Sequence, residues 1–231
     1  AHLERAAVVT KVSHEPMPVE AGSERWEPGF LFSLASDGGA RNLLASACSD
    51  GAVRIFAHDS KASSAEIVAT LPVHTGALGC ATTFLSGGNV LASMSTDGAV
   101  VFTDVRTMTP MTKVTSPCPT MGCCAVPSGD DGSIGSWFAM CGTDGIIRAI
   151  DMEGSSAPKV LIQPTDRPVP LLCVAADHSG RRIAAAGKAP EAPQGTQGAG
   201  GLGGFGGVGM LGAKKTPSSA GILLWDAAGR S

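Results

Sequence analysis

One motif returns at fixed spacing along the chain. "LLASACSDGAVRIFAHD" (43–59) comes back as "VLASMSTDGAVVFTDVR" (90–106) and again as "WFAMCGTDGIIRAIDME" (137–153). The aspartates that precede glycine in these copies are Asp50, Asp97 and Asp144, separated by 47 residues in both intervals. A repeat limits the fold more than composition does, because each unit must bury its apolar surface on its neighbours. A fourth copy is split. "RIAAAGK" (182–188) matches the first half and "AGILLWDAAG" (220–229) the second, with Ser219 in the slot of the turn aspartate and about 28 residues inserted between them.

Each copy reads as strand, tight turn, strand. Asp-Gly between two alternating apolar runs is a hairpin signal, because glycine takes positive φ without a steric penalty. Asp50-Gly51, Asp97-Gly98 and Asp144-Gly145 are therefore expected at turns. Two further strands separate the copies. The first of them is "AEIVATL", "MTKVTS" or "PKVLIQP"; the second is "ALGCATTFL", "MGCCAVP" or "PLLCVAAD". Four short strands in a period of roughly 40–50 residues make one blade of a β-propeller. "ERWEPGF" (24–30) is expected to supply the strand before the first copy, and "RAAVVTKV" (5–12) one more. The reading is an all-β chain with 1–231 as a single partial propeller of about four blades, an incomplete or open ring. Residues 189–219, rich in Gly and Pro, form a flexible insert within the last blade.

Composition removes several function classes. The net charge is only −3, and the closest basic pairs are Arg181-Arg182 and Lys214-Lys215, so no basic stripe for nucleic acid is present. No apolar run reaches about 18 residues, so no membrane span is expected. Seven cysteines, an odd count without framework spacing, suggest reduced thiols in an intracellular protein. "CPTMGCC" lacks the second ligand pair of a zinc site, and adjacent Cys123 and Cys124 would point to opposite faces of a strand. "GLGGFG" (201–206) fits a phosphate-binding glycine pattern, but no strand precedes it and no helix follows. The histidines (His2, His14, His58, His74, His178) are scattered and show no nucleophile–base pattern. No cofactor, no metal, no small-molecule substrate and no enzymatic activity are expected.

The repeats resemble WD repeats. Trp225-Asp226 carries the Trp-Asp pair; Phe56, Thr103 and Ile150 stand in the Trp slot elsewhere, while Asp104 and Asp151 keep the Asp. Val73-His74 stands for the Gly-His element. In the family, His, Ser or Thr, the turn Asp and Trp form a hydrogen-bonded set that knits a blade, so the resemblance implies blade-closing roles for His74, Trp225 and Asp226. "ERWEP", with Trp26 and Pro28, and "DRPVPLLCVAADHSG" (166–180) resemble segments of the WD-repeat nucleoporins of the Y-shaped scaffold complex of the nuclear pore. This resemblance implies a protein–protein interaction scaffold at the nuclear envelope, partnered by other subunits of a large assembly and supporting mRNA and protein transport. "FTDVRT" (102–107) resembles the Trp-Asp-x-Arg element of substrate receptors of cullin-based ubiquitin ligases, with Asp104 and Arg106 matching and Thr103 replacing Trp. That gives one alternative, with Asp104 and Arg106 as partner contacts. A WD subunit of a motor or ciliary assembly is another.

Overall fold

The computed structural model describes residues 31–59, 64–75, 80–127, 134–152, 158–163, 170–188 and 220–226. They form fifteen strands in four antiparallel meanders. Sheet 1 holds β1 (Leu31–Ser36), β2 (Leu43–Cys48), β3 (Val53–Asp59) and β4 (Ser64–Leu71). Sheet 2 holds β5 (Cys80–Leu85), β6 (Val90–Ser95), β7 (Ala99–Asp104) and β8 (Thr109–Thr115). Sheet 3 holds β9 (Thr120–Pro127), β10 (Ile134–Gly142), β11 (Ile147–Asp151) and β12 (Lys159–Ile162). Sheet 4 has three strands among the described residues, β13 (Leu171–Ala176), β14 (Arg182–Lys188) and β15 (Ala220–Asp226). The only helical element described is a 3-10 turn at Ser86–Gly88, and among the described residues no helix is long and apolar enough to cross a membrane.

The second and third strands of each sheet are the two halves of the repeated motif. In β2, β3, β6, β7 and β11 apolar side chains are buried on both faces, as in strands covered on both sides. β1 lies against β5, β5 against β9 and β9 against β13, so the first strands of successive sheets run side by side. Polar ties join these strands. The Thr82 amide donates to Ser33 Oγ at 3.1 Å, and the Ala125 amide to Thr83 Oγ1 at 3.0 Å.

Three cores fill the seams. Leu43, Ala45, Val53 and Ile55 of sheet 1 meet Phe84 and Leu91 of sheet 2. Met94, Val100 and Phe102 of sheet 2 meet Phe138, Met140 and Ile150 of sheet 3, where the Phe102 and Phe138 rings stand edge to face at 6.0 Å. Ala139, Cys141 and Ile147 of sheet 3 meet Leu171, Val174 and Ile183 of sheet 4. The period of two decides which seam a residue enters: Phe84 goes to the first and its neighbour Leu85 to the second. Cys123 and Cys124 part in the same way, to the second and third seams.

One boundary differs from the sequence reading. The strand that opens sheet 1 is Leu31–Ser36, directly after the expected 24–30 segment. Residues 5–12 and 24–30 lie outside the described residues, as does 189–219. Pro28 cannot donate a ladder hydrogen bond, whereas "LFSLAS" is free of proline. On β1, Leu31, Phe32 and Leu34 are exposed.

β14 and β15 pair directly across the insert, with Lys188 opposite Ala220. A connection as short as two residues can therefore bridge them. Replacing 189–219 by Asn-Gly is expected to leave the melting temperature within a few degrees of the parent, read by circular dichroism. A large drop would show that the segment packs on the sheets.

Candidate functional site

The repeated Asp-Gly turns form three equivalent constellations. Gly51, Gly98 and Gly145 have φ of 78°, 77° and 74°. Their amides close each turn on the carbonyls of Cys48, Ser95 and Gly142 at 3.1, 3.1 and 3.2 Å. In each copy the aspartate Oδ1 accepts the amide two residues on. Asp50 takes Ala52 at 3.0 Å, Asp97 takes Ala99 at 2.8 Å and Asp144 takes Ile146 at 3.2 Å. The carboxylate thus holds the backbone across the glycine.

The second role of each carboxylate is to face a basic side chain, and here the copies diverge. Asp50 is gripped by both terminal nitrogens of Arg54, at 3.1 and 2.6 Å. Asp144 is gripped the same way by Arg148. Burial would raise both carboxyl pKa values, but the guanidinium and amide hydrogen bonds outweigh it and hold them below the usual range. Sheet 2 has Val101 in the arginine position. His74, entering from the connection after β4, takes its place. Its Nδ1 stands 3.4 Å from Asp97 Oδ2, its Nε2 lies 3.0 Å from Ser93 Oγ, and the Thr75 amide donates to Asp97 Oδ2 at 3.1 Å. In sheet 3 the incoming side chain is Cys118, whose sulfur lies 3.5 Å from Arg148 Nη1.

Ser93, His74 and Asp97 are the residue types of a nucleophilic triad in the triad's order of contact. Their placement suits a latch. Ser93 is 1% exposed and His74 6%, and the Ser93 hydroxyl also lies 3.5 Å from the Val101 carbonyl oxygen. A nucleophile must be reached by a carbonyl carbon with oxyanion donors beside it. This hydroxyl is instead enclosed by the seam core. The latch ties the connection leaving sheet 1 into the heart of sheet 2.

Burial pushes the His74 pKa below its ordinary value, and the neighbouring Asp97 only partly offsets this, with Lys113 adding to the depression. The folded state therefore favours neutral His74 more than the unfolded chain does. Its contribution to stability is present above the ordinary histidine range near about 6.5 and is lost as pH falls through the lower folded value. Urea midpoints measured from pH 7.5 down to 5 are expected to show this loss, approaching about 1.4 kcal/mol per pH unit for one proton. In His74→Asn that part of the slope should vanish.

Asp104 caps the turn after β7. Its Oδ1 accepts the amides of Arg106 at 2.7 Å and Thr107 at 3.2 Å. The Arg106 side chain is 78% exposed and reaches Asp104 only at 3.9 Å. Trp225 and Asp226 lie on β15, opposite Ile183 and Arg182. Their side chains, Ser219 and 201–206 lie outside the description. Among the described residues no group of three or more His, Cys, Asp or Glu is arranged to hold a metal.

Sequence reasoning passed over Arg54, Arg148, Ser93 and Cys118. The first two carried a signal: arginine stands four residues after the turn aspartate in copies one and three, and valine in copy two. No protein-family model matches the chain, and no curated protein matches it.

Proposed function

We propose that the chain forms part of a WD-type β-propeller and works as a non-enzymatic protein–protein interaction scaffold. The observation that carries this reading is the His74–Ser93–Asp97 latch, which holds three of the four groups the WD pattern joins within a blade. The side-by-side first strands and the recurring Asp-Gly turns support the same reading. Polar groups that resemble catalytic ones are spent on tying sheets together, and surface loops are left for partners.

The sharper reading is a structural nucleoporin of the Y-shaped complex, supporting mRNA and protein transport. It rests on the two segments "ERWEP" and "DRPVPLLCVAADHSG". Affinity purification of the tagged chain with mass spectrometry tests it. Y-complex subunits are expected among the co-purifying proteins. Recovery of a cullin adaptor instead, with loss of that adaptor in Arg106→Ala, would replace this reading by the substrate-receptor one; exposed Arg106 is the observation that favours that alternative.

A further inference from the structure

We propose that Trp26 latches sheet 1 through Ser46 and Arg54, as His74 latches sheet 2 through Ser93. The receiving half of this latch lies on described residues; Trp26 lies outside them. Ser46, Ser93 and Met140 each stand four residues before the turn aspartate of their copy. Ser46 is the register partner of Arg54, in the place where Ser93 faces Val101 and Met140 faces Arg148. Ser46 and Arg54 are both 0% exposed, yet Ser46 Oγ and Arg54 Nε have no hydrogen-bond partner among the described residues. Leaving a buried hydroxyl unpaired is costly, so a polar group belongs beside it.

The other copies indicate which group. Where the slot holds Ser93, the side chain entering from the preceding connection is a nitrogen-bearing ring, and His74 Nε2 lies 3.0 Å from the Ser93 hydroxyl. Where the slot holds Met140, which has no hydroxyl, the thiol of Cys118 enters and contacts Arg148. Sheet 1 combines the serine of one copy with the arginine of the other. It therefore needs a ring that donates an N–H to Ser46 and offers a face to a guanidinium, which an indole does. His74 enters six residues before Cys80, and Cys118 two before Thr120. Cys80 and Thr120 pair with Ser95 and Gly142, each two residues before a turn aspartate, and Leu31 holds the same position opposite Cys48. The matching window before Leu31 is residues 25–29, where Trp26 is the only ring with an N–H. The five residues from Trp26 to Leu31 reach at most about 18 Å, enough for the indole to return over Ser46.

The test is solvent exchange of the Trp26 indole N–H in the full chain, read by nitrogen-15 magnetic resonance and assigned as the indole peak lost in Trp26→Phe. In the wild type it is expected to exchange at least about tenfold more slowly than in the urea-unfolded chain. Ser46→Ala should speed it about fivefold, the equivalent of one hydrogen bond. Melting temperatures give a second readout. Trp26→Phe and Ser46→Ala should each lower the midpoint by about 2–4 °C, and the double variant no further than either, because both remove the same bond. Trp26→Ala, which also removes the ring, should lower it by about 8–15 °C. An indole N–H that exchanges as fast in the folded chain as in urea, or losses from Trp26→Phe and Ser46→Ala that add in full, would overturn the proposal.

Discussion

Asp50→Ala is expected to destabilise the protein by about 3–5 kcal/mol, the largest loss from any of the turn aspartates. Arg54 is the reason. Its side chain is 0% exposed, and its Nε has no hydrogen-bond partner among the described residues. Asp50 supplies both of the carboxylate oxygens that its terminal nitrogens hold. Removing the carboxylate leaves a buried guanidinium without its counter-charge and also frees the Ala52 amide. The matching change in sheet 3 is milder. Arg148 and Asp144 are 8% and 29% exposed, so water takes over part of the lost interaction, and Asp144→Ala should cost about 1–2 kcal/mol. Adding Arg54→Met to Asp50→Ala should recover much of the loss, because the uncompensated charge goes with the arginine. Urea denaturation of the four proteins decides this. Equal small losses at Asp50 and Asp144 would refute the account.

Gly51→Val should cost about 3 kcal/mol or more, and Gly98→Val about 1–2 kcal/mol. Both glycines sit in the left-handed region at nearly the same φ, so the backbone strain is shared. Their surroundings differ. A Cβ on Gly51 would run into the carbonyl oxygen of His74, whereas one on Gly98 meets only the Ser116 carbonyl oxygen at an ordinary 3.5 Å. The clash has a second consequence. The His74 amide donates to the Gly51 carbonyl oxygen at 3.2 Å, so the turn of sheet 1 seats the residue that latches sheet 2. Gly51→Val should therefore also flatten the acid-side loss of stability, and Gly98→Val should leave the His74 seat in place. Thermal unfolding at pH 7.5 and 5.5 separates the two outcomes.

The strands and turns were legible because their causes are local. Alternation over five to nine residues places β2, β3, β6, β7, β10 and β11, and Asp-Gly places the bends between them. The strand that pairs with β2 is Leu31–Ser36, next to the 24–30 segment expected there, which lies outside the described residues. The latch was only half visible. His74 was singled out through the family resemblance, but its contact with Ser93 spans 19 residues and two sheets, and no local pattern encodes that. The arginine clasps were written in plain spacing. Arg54 and Arg148 stand four residues after their aspartates, on the strand that follows the turn, and the valine of the middle copy marks where histidine substitutes. Reading differences between copies, as well as their likeness, would have found them.

The three seams have a kinetic corollary. Sheets 2 and 3 are each held by two cores, and sheets 1 and 4 by one among the described residues. An opening that exposes an outer sheet breaks one seam, whereas one that exposes a middle sheet must break two. Amide hydrogens of β6, β7 and β10 should therefore exchange with deuterium last. Those of β13 and β14 should exchange earlier, at a rate set by the detachment of sheet 4 as a unit.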